Sequence, residues 1–266
     1  MTDQPASKKG FLRRHPLLSV FAAVAGVFIV YLTYLTVSLP VVDFLRSKNP
    51  GTTSLTTARA AEARAKGEEP KHVQYWVPLT QVSERVIQAV RMGEDAAFFS
   101  HSGFDFHEIR ESVRKNVQRG EYARGASTIT QQLAKNLFLS NEKSLQRKLK
   151  EAILTYRLEN ALSKKRILEL YLNVIEWGDG IYGIEAAART YYGKPAAYLN
   201  AAEAALLAAM IPNPRQLNPA KRFDSLKVRQ ERILGWMSRA GFLTEEELTH
   251  AKEETLDLRS RAPHSP

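Results

Sequence analysis

Residues 145–156 read LQRKLKEAILTY, and their spacing indicates the fold class of this chain. The apolar side chains recur at the i, i+4, i+7, i+8 positions typical of an amphipathic helix. They are Leu145, Leu149, Ala152, Ile153 and Tyr156. The same periodicity returns at residues 86–90, 167–172, 201–210 and 233–237, and Ser83 is a suitable N-cap for the first of these segments. Alternating patterns typical of short strands are scarce, and the Tyr75–Leu79 segment is the best of them. We therefore predict a mainly α-helical fold.

The N-terminal part of the chain contains a run that fits a membrane. Leu17 to Leu39 is 23 residues long and lacks Asp, Glu, Lys and Arg. As a helix it would reach roughly 34 Å, which spans a bilayer. Basic residues precede it, so the positive-inside rule predicts a cytoplasmic N-terminus and an external folded domain. A cleaved signal peptide is the alternative, but no small-x-small cleavage site follows the run.

Composition narrows the remaining possibilities. The 266 residues carry a formal charge of +10 and no cysteine, which excludes thiol nucleophiles, thiolate metal sites and disulfides. We predict a basic tail at 1–16, a transmembrane helix at 17–39, a tether with a helical part at 40–71, one folded domain at 72–251 and a tail at 252–266.

A first candidate site follows the helix capped by Ser83. Glu94 and Asp95 are followed by Phe98 and His101 before Gly103 allows a turn. A carboxylate beside aromatic rings is one way to raise a pKa and create a general base. A simply solvated Glu-Asp pair is the more common alternative.

The segment GASTITQQLAKN, residues 125–136, forms a second candidate site. Ile129 and Leu133 share one face of the predicted helix, and polar residues occupy the other. A helix N-terminus after a glycine can present N–H groups to an anion, and Lys135 lies two turns further on. Amide side chains suit hydrogen bonds to sugars. A polar surface helix is the alternative.

The third candidate site returns to the opening segment. Lys143, Arg147 and Glu151 follow at i, i+4 and i+8 and share a face, with Lys148 one step round. Converging cations beside one acid could hold a pyrophosphate next to a carboxylate. On spacing alone, a plain salt-bridge ladder is the more usual arrangement.

In order along the chain, five segments resemble the motifs of the family 51 glycosyltransferases, the peptidoglycan glycosyltransferases. They are EDAAFFSHSGFD, GASTITQQLAKN, RKLKE, KKRILELYLNVIEWGDGIYGIEAAARTYYGK and EAALLAAMIPNPRQLNP. The resemblance covers roughly Val73 to Gly241. It implies a lysozyme-like, bilobal helical domain with a smaller, membrane-associated lobe. No transpeptidase domain follows before Pro266, so a monofunctional member is expected.

The resemblance also implies an activity, which is polymerisation of lipid II at the inner membrane by a periplasmic domain. Glu94 would be the general base, and Glu151 would assist the leaving undecaprenyl pyrophosphate, directly or through Mg²⁺ or Mn²⁺, with no organic cofactor. The motif positions expected to bind substrate are Asp95, Phe98, His101, Gly125, Ser127, Thr128, Gln131, Gln132, Lys135, Asn136, Lys143, Arg147 and Lys148. Expected partners are lipid II, the growing glycan strand, membrane lipid and cell-division or cell-wall synthesis proteins, without nucleic acid.

The sequence departs from the family pattern at two positions. Lys143 stands where relatives often have Arg, which keeps the charge and loses the bidentate fork. Gly93 stands where relatives commonly have Ala or Ser before the Glu-Asp pair.

Two other functions stay open at this point. A lytic glycosidase of lysozyme type would also pair carboxylates in a helical fold, but it has no use for the cations at 135, 143, 147 and 148. The other is a membrane-tethered division scaffold with an inactive domain, and the presence of both acids argues against it.

Overall fold

The computed structural model describes residues 16–119, 127–140, 142, 144–256 and 258. The chain divides into two compact units, Met1–Val41 and Val42–Pro266. Among the described residues, the first unit contains one long helix, and the second contains the remaining helices and a small sheet.

Helix α1 of the first unit spans Pro16–Ser38, and Leu17–Ser38 is long and apolar enough to cross a membrane. The hydroxyls of Thr33 and Thr36 donate to backbone carbonyls one turn earlier, at 2.9 and 2.8 Å. Their polar atoms therefore have partners within the helix, as a lipid environment requires. The predicted apolar helix at 17–39 is confirmed.

The second unit is mostly helical, which confirms the predicted fold class. Its helices are α2 (Ser54–Ala65), α3 (Glu84–Glu94), α4 (Phe106–Arg119), α5 (Ile129–Phe138), α6 (Leu145–Ala161), α7 (Lys164–Val174), α8 (Ile184–Tyr192), α9 (Ala201–Met210), α10 (Phe223–Arg239) and α11 (Glu245–Glu253). Short 3₁₀ turns occur at Asp43–Arg46, Leu79–Gln81 and Ala196–Tyr198. The strands are β1 (Val73–Gln74), β2 (Glu176–Gly178) and β3 (Ile181–Tyr182), in the order β1-β3-β2. Strand β3 is parallel to β1 and antiparallel to β2.

The core is organised around α9, which is buried from Ala202 to Met210 and packs against α3 and α10. Ser83 caps α3 as predicted, and its side chain accepts a hydrogen bond from the Arg85 N–H. The apolar residues predicted for α3 and α7 are buried. Because α3 ends at Glu94, this packing fixes the position of that carboxyl group.

Helix α6 is formed as predicted, but its apolar stripe is not its buried face. Leu145 is 91% exposed and Tyr156 65% exposed, whereas Glu151, Leu154 and Thr155 are buried. Helix α6 packs on α5, which carries polar side chains, so the inward face of α6 includes an acid. Hydrophobic spacing alone therefore indicated the helix correctly and its core-facing side incorrectly.

The predicted strand at Tyr75–Leu79 is wrong, because β1 ends at Gln74. The N–H of Val77 donates to Asn173 Oδ1 and its carbonyl accepts from Asn173 Nδ2, each at 2.9 Å. Pro78 has no N–H to offer a ladder. One buried amide side chain therefore replaces the strand partner that Val77 would need.

Helix α2 lies within the predicted tether, and the expectation of a helical part is confirmed. Thr53 and Thr56 form a capping box at its start. Arg59 pairs with the buried Glu176 at 2.8 Å, and Glu62 pairs with Arg215 at 2.9 Å. These ion pairs attach α2 to the folded domain, so much of the predicted tether is part of the second compact unit.

Candidate active site

Glu94 is the last residue of α3, and its carboxyl group faces α5. Its Oε2 accepts a 2.8 Å hydrogen bond from Gln132 Nε2. Burial raises the pKa of Glu94 to about 7, and the bond from Gln132 and the charges of Arg229 and Lys135 oppose that rise. A carboxyl group that titrates near neutral pH can accept a proton from a hydroxyl group more readily than an ordinary surface glutamate. The geometry therefore suits the predicted base.

Asp95, the neighbour of Glu94, is held entirely by protein groups. Its Oδ1 lies 2.9 Å from His101 Nε2, and its Oδ2 accepts the Ile129 N–H at 3.0 Å. The Gly103 N–H donates to His101 Nδ1, so Nε2 carries the proton and donates to Asp95. These bonds fix the loop after α3 to the start of α5, and they favour a structural role over the predicted substrate binding by Asp95 and His101.

Side chains of the protein itself also bind the backbone N–H groups at the start of α5. Thr128 and Gln131 form a capping box and are both buried, and the Thr128 hydroxyl donates to the Gly103 carbonyl at 2.7 Å. With the Ile129 N–H bound to Asp95, the anion at this helix terminus is a carboxylate of the chain itself. The expectation that the terminus presents free N–H groups to a substrate anion is corrected accordingly.

A cationic cluster surrounds Glu151 on α6. Arg147 Nη1 contacts Glu151 Oε2 at 2.5 Å, and Lys148 Nζ pairs with the other carboxylate oxygen. Glu151 is buried, Arg147 is half-buried and Lys148 is exposed. The predicted grouping of 147, 148 and 151 is therefore present, and each acid oxygen has a cation beside it.

Lys135 on α5 lies within the electrostatic reach of both acids. Burial lowers the pKa of Lys135, the charges of Glu151 and Glu94 raise it, and Arg147 and Lys148 lower it. Within the described residues its ammonium makes no hydrogen bond or ion pair. A half-buried cation that is near two acids and bonded to neither leaves its three donors available to an anionic ligand.

The other predicted residues fall into three groups. Phe98 is fully buried, with Lys164 Nζ 4.4 Å from its ring centroid, so its role is in packing. Ser127 is exposed and Asn136 is half-buried. Gly125 and Lys143 lie outside the described residues.

Sequence reasoning did not identify two residues near Glu94. Arg229 on α10 interacts electrostatically with Glu94, and its Nε donates to the Ala209 carbonyl at 3.0 Å. Tyr171 on α7 is fully buried and donates to Gln132 Oε1 at 3.0 Å. Neither residue lies near the acids in sequence, so no local pattern could have indicated them.

A cleft of about 990 Å³ is lined by a different set of residues, among them Arg59, Glu62, Lys71, Asp179 and Arg215. These charged groups pair with one another, for example Lys71 with Asp179 at 3.0 Å and Arg215 with Asp179 at 3.1 Å. None of the predicted site residues that the structure describes lines this cleft. We therefore keep Glu94 and Glu151, and not this cleft, as the candidate active site.

Comparisons with known proteins give a consistent family. A family model described as Transglycosylase matches residues 61–238. A protein of Dechloromonas aromatica called biosynthetic peptidoglycan transglycosylase is 48% identical over 192 residues, which cover 72% of this chain and 83% of that protein. A protein of the same name from Chromobacterium violaceum is 41% identical over 218 residues, covering 82% of this chain and 94% of its own.

Among solved structures, penicillin-binding protein 1A from Haemophilus influenzae is similar to 71% of this chain, over 19% of its own length. The identity is 21% and the TM-score is 0.42.

Proposed function

This chain belongs to the transglycosylase family and is a glycosyltransferase enzyme, and from that membership we propose that it polymerises lipid II into linear β-1,4 glycan strands of peptidoglycan. The reaction requires a base for a sugar hydroxyl and a cationic place for a pyrophosphate. Glu94 and the cations near Glu151 supply these two features in one unit of the protein. The observation that carries the proposal is Lys135, a half-buried cation that interacts electrostatically with both acids and forms no ion pair or hydrogen bond within the described residues.

Glu94 removes the proton from the 4-hydroxyl of the acceptor sugar. The oxygen then attacks the anomeric carbon of the lipid-linked growing strand, and the bond from that carbon to the pyrophosphate oxygen breaks. The α-linked donor becomes a β-1,4 product, and undecaprenyl pyrophosphate leaves with the electron pair. A pKa near 7 supports this role, because part of the Glu94 population is ionised near neutral pH and its affinity for a proton is still high.

Lys135 and Arg147 stabilise the negative charge that develops on the pyrophosphate. Positioned cations in a partly desolvated site act strongly on such charge. Glu151 holds Arg147 and Lys148 in place through one carboxylate oxygen each. In this arrangement the acid organises the cations that meet the leaving group.

A divalent cation on Glu151 is poorly matched to these contacts. Both carboxylate oxygens already face a positive group, and a metal ion would have to displace Arg147 or Lys148 and remain beside the other. We therefore propose that the side-chain cations neutralise the pyrophosphate and that Glu151 binds no Mg²⁺ or Mn²⁺.

The glycosidase alternative uses the same acid differently. A carboxyl group with a raised pKa also suits the general acid of a lysozyme-type enzyme, so Glu94 alone does not separate the two reactions. The cations at 135, 147 and 148 do, because a neutral glycosidic bond has no pyrophosphate to bind. The raised pKa of Glu94 is typical of acids at functional sites, and it argues against an inactive scaffold.

We propose that α1 anchors the protein in the inner membrane with the catalytic domain in the periplasm. The basic residues before Leu17 and the apolar helix support this topology. The exposed Phe106, Leu145 and Tyr156 of the second unit are suited to lipid contact and support the expected membrane-associated lobe. A reporter active only in the cytoplasm, fused after Pro266, should be silent, and activity there would contradict the topology.

The test of the reaction is incubation of the detergent-solubilised protein with labelled lipid II, followed by muramidase digestion. The proposal predicts polymer that muramidase degrades to disaccharide units. Absence of polymer, with purified glycan strands being cleaved instead, would support the glycosidase.

A further inference from the structure

A partly buried hydrogen-bond chain runs from α7 to the carboxyl group of Glu94. The Tyr171 hydroxyl, fully buried, donates to Gln132 Oε1 at 3.0 Å, and Gln132 Nε2 donates to Glu94 Oε2 at 2.8 Å. A primary amide carries its acceptor on one atom and its donors on the other. Whatever binds one end of Gln132 therefore decides what the other end presents to Glu94.

We propose that Tyr171 is a positioning residue for glycosyl transfer, because its hydroxyl holds the Gln132 carbonyl and so keeps the Gln132 N–H on the catalytic carboxylate. The proposal rests on the assigned role of Glu94 as the base. Tyr171 acts through Gln132 and has no hydrogen bond of its own to Glu94 within the described residues.

The direction of this chain follows from the chemistry of its ends. Burial, together with the charges of Glu94 and Asp95, raises the pKa of Tyr171 well above its usual value, so the phenol keeps its proton. An ionised Glu94 can only accept. The chain therefore runs in one direction, from the phenol through the amide to the carboxylate. It can reverse only when Glu94 is protonated and donates to the Gln132 carbonyl.

Removing the Tyr171 hydroxyl leaves two unfavourable choices. With its N–H on Glu94, Gln132 has a partly buried carbonyl that has lost its Tyr171 donor, and with the amide flipped, the carbonyl oxygen faces the carboxylate. Either choice disfavours the ionised base. A protonated Glu94 can donate to the flipped carbonyl, which the ionised form cannot do, so the loss falls more heavily on the ionised base.

The other charged groups that face Glu94 are left in place by this change. They are Lys135 from α5 and Arg229 from α10, which lower its pKa, and the adjacent Asp95, which raises it. Within the described residues none of the three bonds to the Tyr171 hydroxyl. A change caused by Tyr171→Phe can therefore be attributed to the amide.

The experiment compares the pH dependence of lipid II polymerisation by the full-length wild-type protein and Tyr171→Phe. The acidic limb of the profile should move to higher pH by about 0.5 to 1 pH unit, which corresponds to the free energy of one partly buried hydrogen bond. Turnover at pH 6 should fall roughly 3- to 10-fold, and turnover above pH 8.5 should stay within about twofold of wild type. A ¹³C NMR titration of the Glu94 carboxyl group, assigned by its absence in Glu94→Gln, should move in the same direction.

Tyr191→Phe is the matched control, because Tyr191 is also buried and its hydroxyl donates to the Trp177 carbonyl at 3.1 Å, away from Gln132. It removes the same group and should leave the profile and the titration unchanged. Gln132→Met, which deletes the amide, should move the acidic limb at least as far as Tyr171→Phe. Adding Tyr171→Phe to Gln132→Met should then move it no further.

An unchanged Glu94 titration in Tyr171→Phe would overturn the inference, and so would an equal movement in Tyr191→Phe or additive movements in the double variant. The NMR titration needs no turnover. A wild-type protein that fails to polymerise lipid II would therefore count against the proposed function, while the titration would still decide the role of Tyr171.

Discussion

Asp95 provides a test of whether the two adjacent acids have different roles. Both of its carboxylate oxygens accept hydrogen bonds inside the protein, from His101 and from the Ile129 N–H at the start of α5. In Asp95→Asn, the new Nδ2 must face one of these two donors. His101 cannot offer a lone pair at Nε2 without releasing the Gly103 N–H that Nδ1 accepts.

The expected loss of stability can be worked from these contacts. One broken hydrogen bond to a buried charged acceptor costs about 1.5–3 kcal/mol, and a lost negative charge at a helix N-terminus costs about 0.3–1 kcal/mol more. A total of about 3 kcal/mol corresponds to a fall in Tm of roughly 6–12 °C for a domain of this size. Polymerisation measured well below Tm should stay within about tenfold of wild type, since the base itself is unchanged.

Asp105→Asn is the matched control for thermal unfolding followed by circular dichroism. Asp105 Oδ1 accepts the Glu108 N–H at 2.9 Å near the start of α4, and asparagine caps a helix about as well as aspartate. Its Tm should change by less than about 2 °C. If Asp95→Asn melted with the wild type and lost all activity, the structural assignment of Asp95 would be refuted.

Two further predictions concern the charges of the site. Arg147→Ala should reduce lipid II turnover roughly 10- to 100-fold and lower Tm by no more than about 4 °C, because Lys148 still pairs with Glu151. Lys148→Ala, at an exposed position, should reduce turnover less. Wild-type turnover in Arg147→Ala would favour the plain salt-bridge ladder. The pKa of Glu94 is raised from 4.5 to about 7, so the wild type loses stability as pH rises through that window, and Glu94→Gln lacks this loss. The Tm of Glu94→Gln should match that of the wild type at pH 5 and exceed it at pH 8. The difference at pH 8 should correspond to about 1–2 kcal/mol in the free energy of unfolding, after discounting for the remaining exposure of Glu94. Equal Tm values at both pH values would contradict a raised pKa.

The helices could be predicted from the sequence because their signals are local. Ser83 and the spacing of Val86, Ile87 and Val90 lie within one turn or two of each other, and α3 forms where they indicate. The same reasoning misjudged the inward face of α6, because Glu151 is buried against charged partners rather than exposed.

The hydrogen bonds that hold the site residues and the nearby backbone in place could not be predicted, because they join residues far apart in the chain. Tyr171 reaches Gln132 across 39 positions, and Asn173 replaces a strand partner for Val77 across 96. The sequence of a helix N-terminus also does not indicate which anion binds there. At the start of α5 that anion is the carboxylate of Asp95. Motif resemblance indicated Glu94, Gln132, Lys135 and Glu151 without giving their contacts.

The most direct test of the account is the rate of lipid II polymerisation by Glu94→Gln. The amide keeps the size of the side chain but cannot take the proton of the acceptor hydroxyl, so turnover should fall by roughly 10²- to 10⁴-fold while lipid II binding and the circular dichroism spectrum are retained. Near-normal turnover by Glu94→Gln would contradict the assignment of Glu94 as the base, and Glu151 would become the first candidate to replace it.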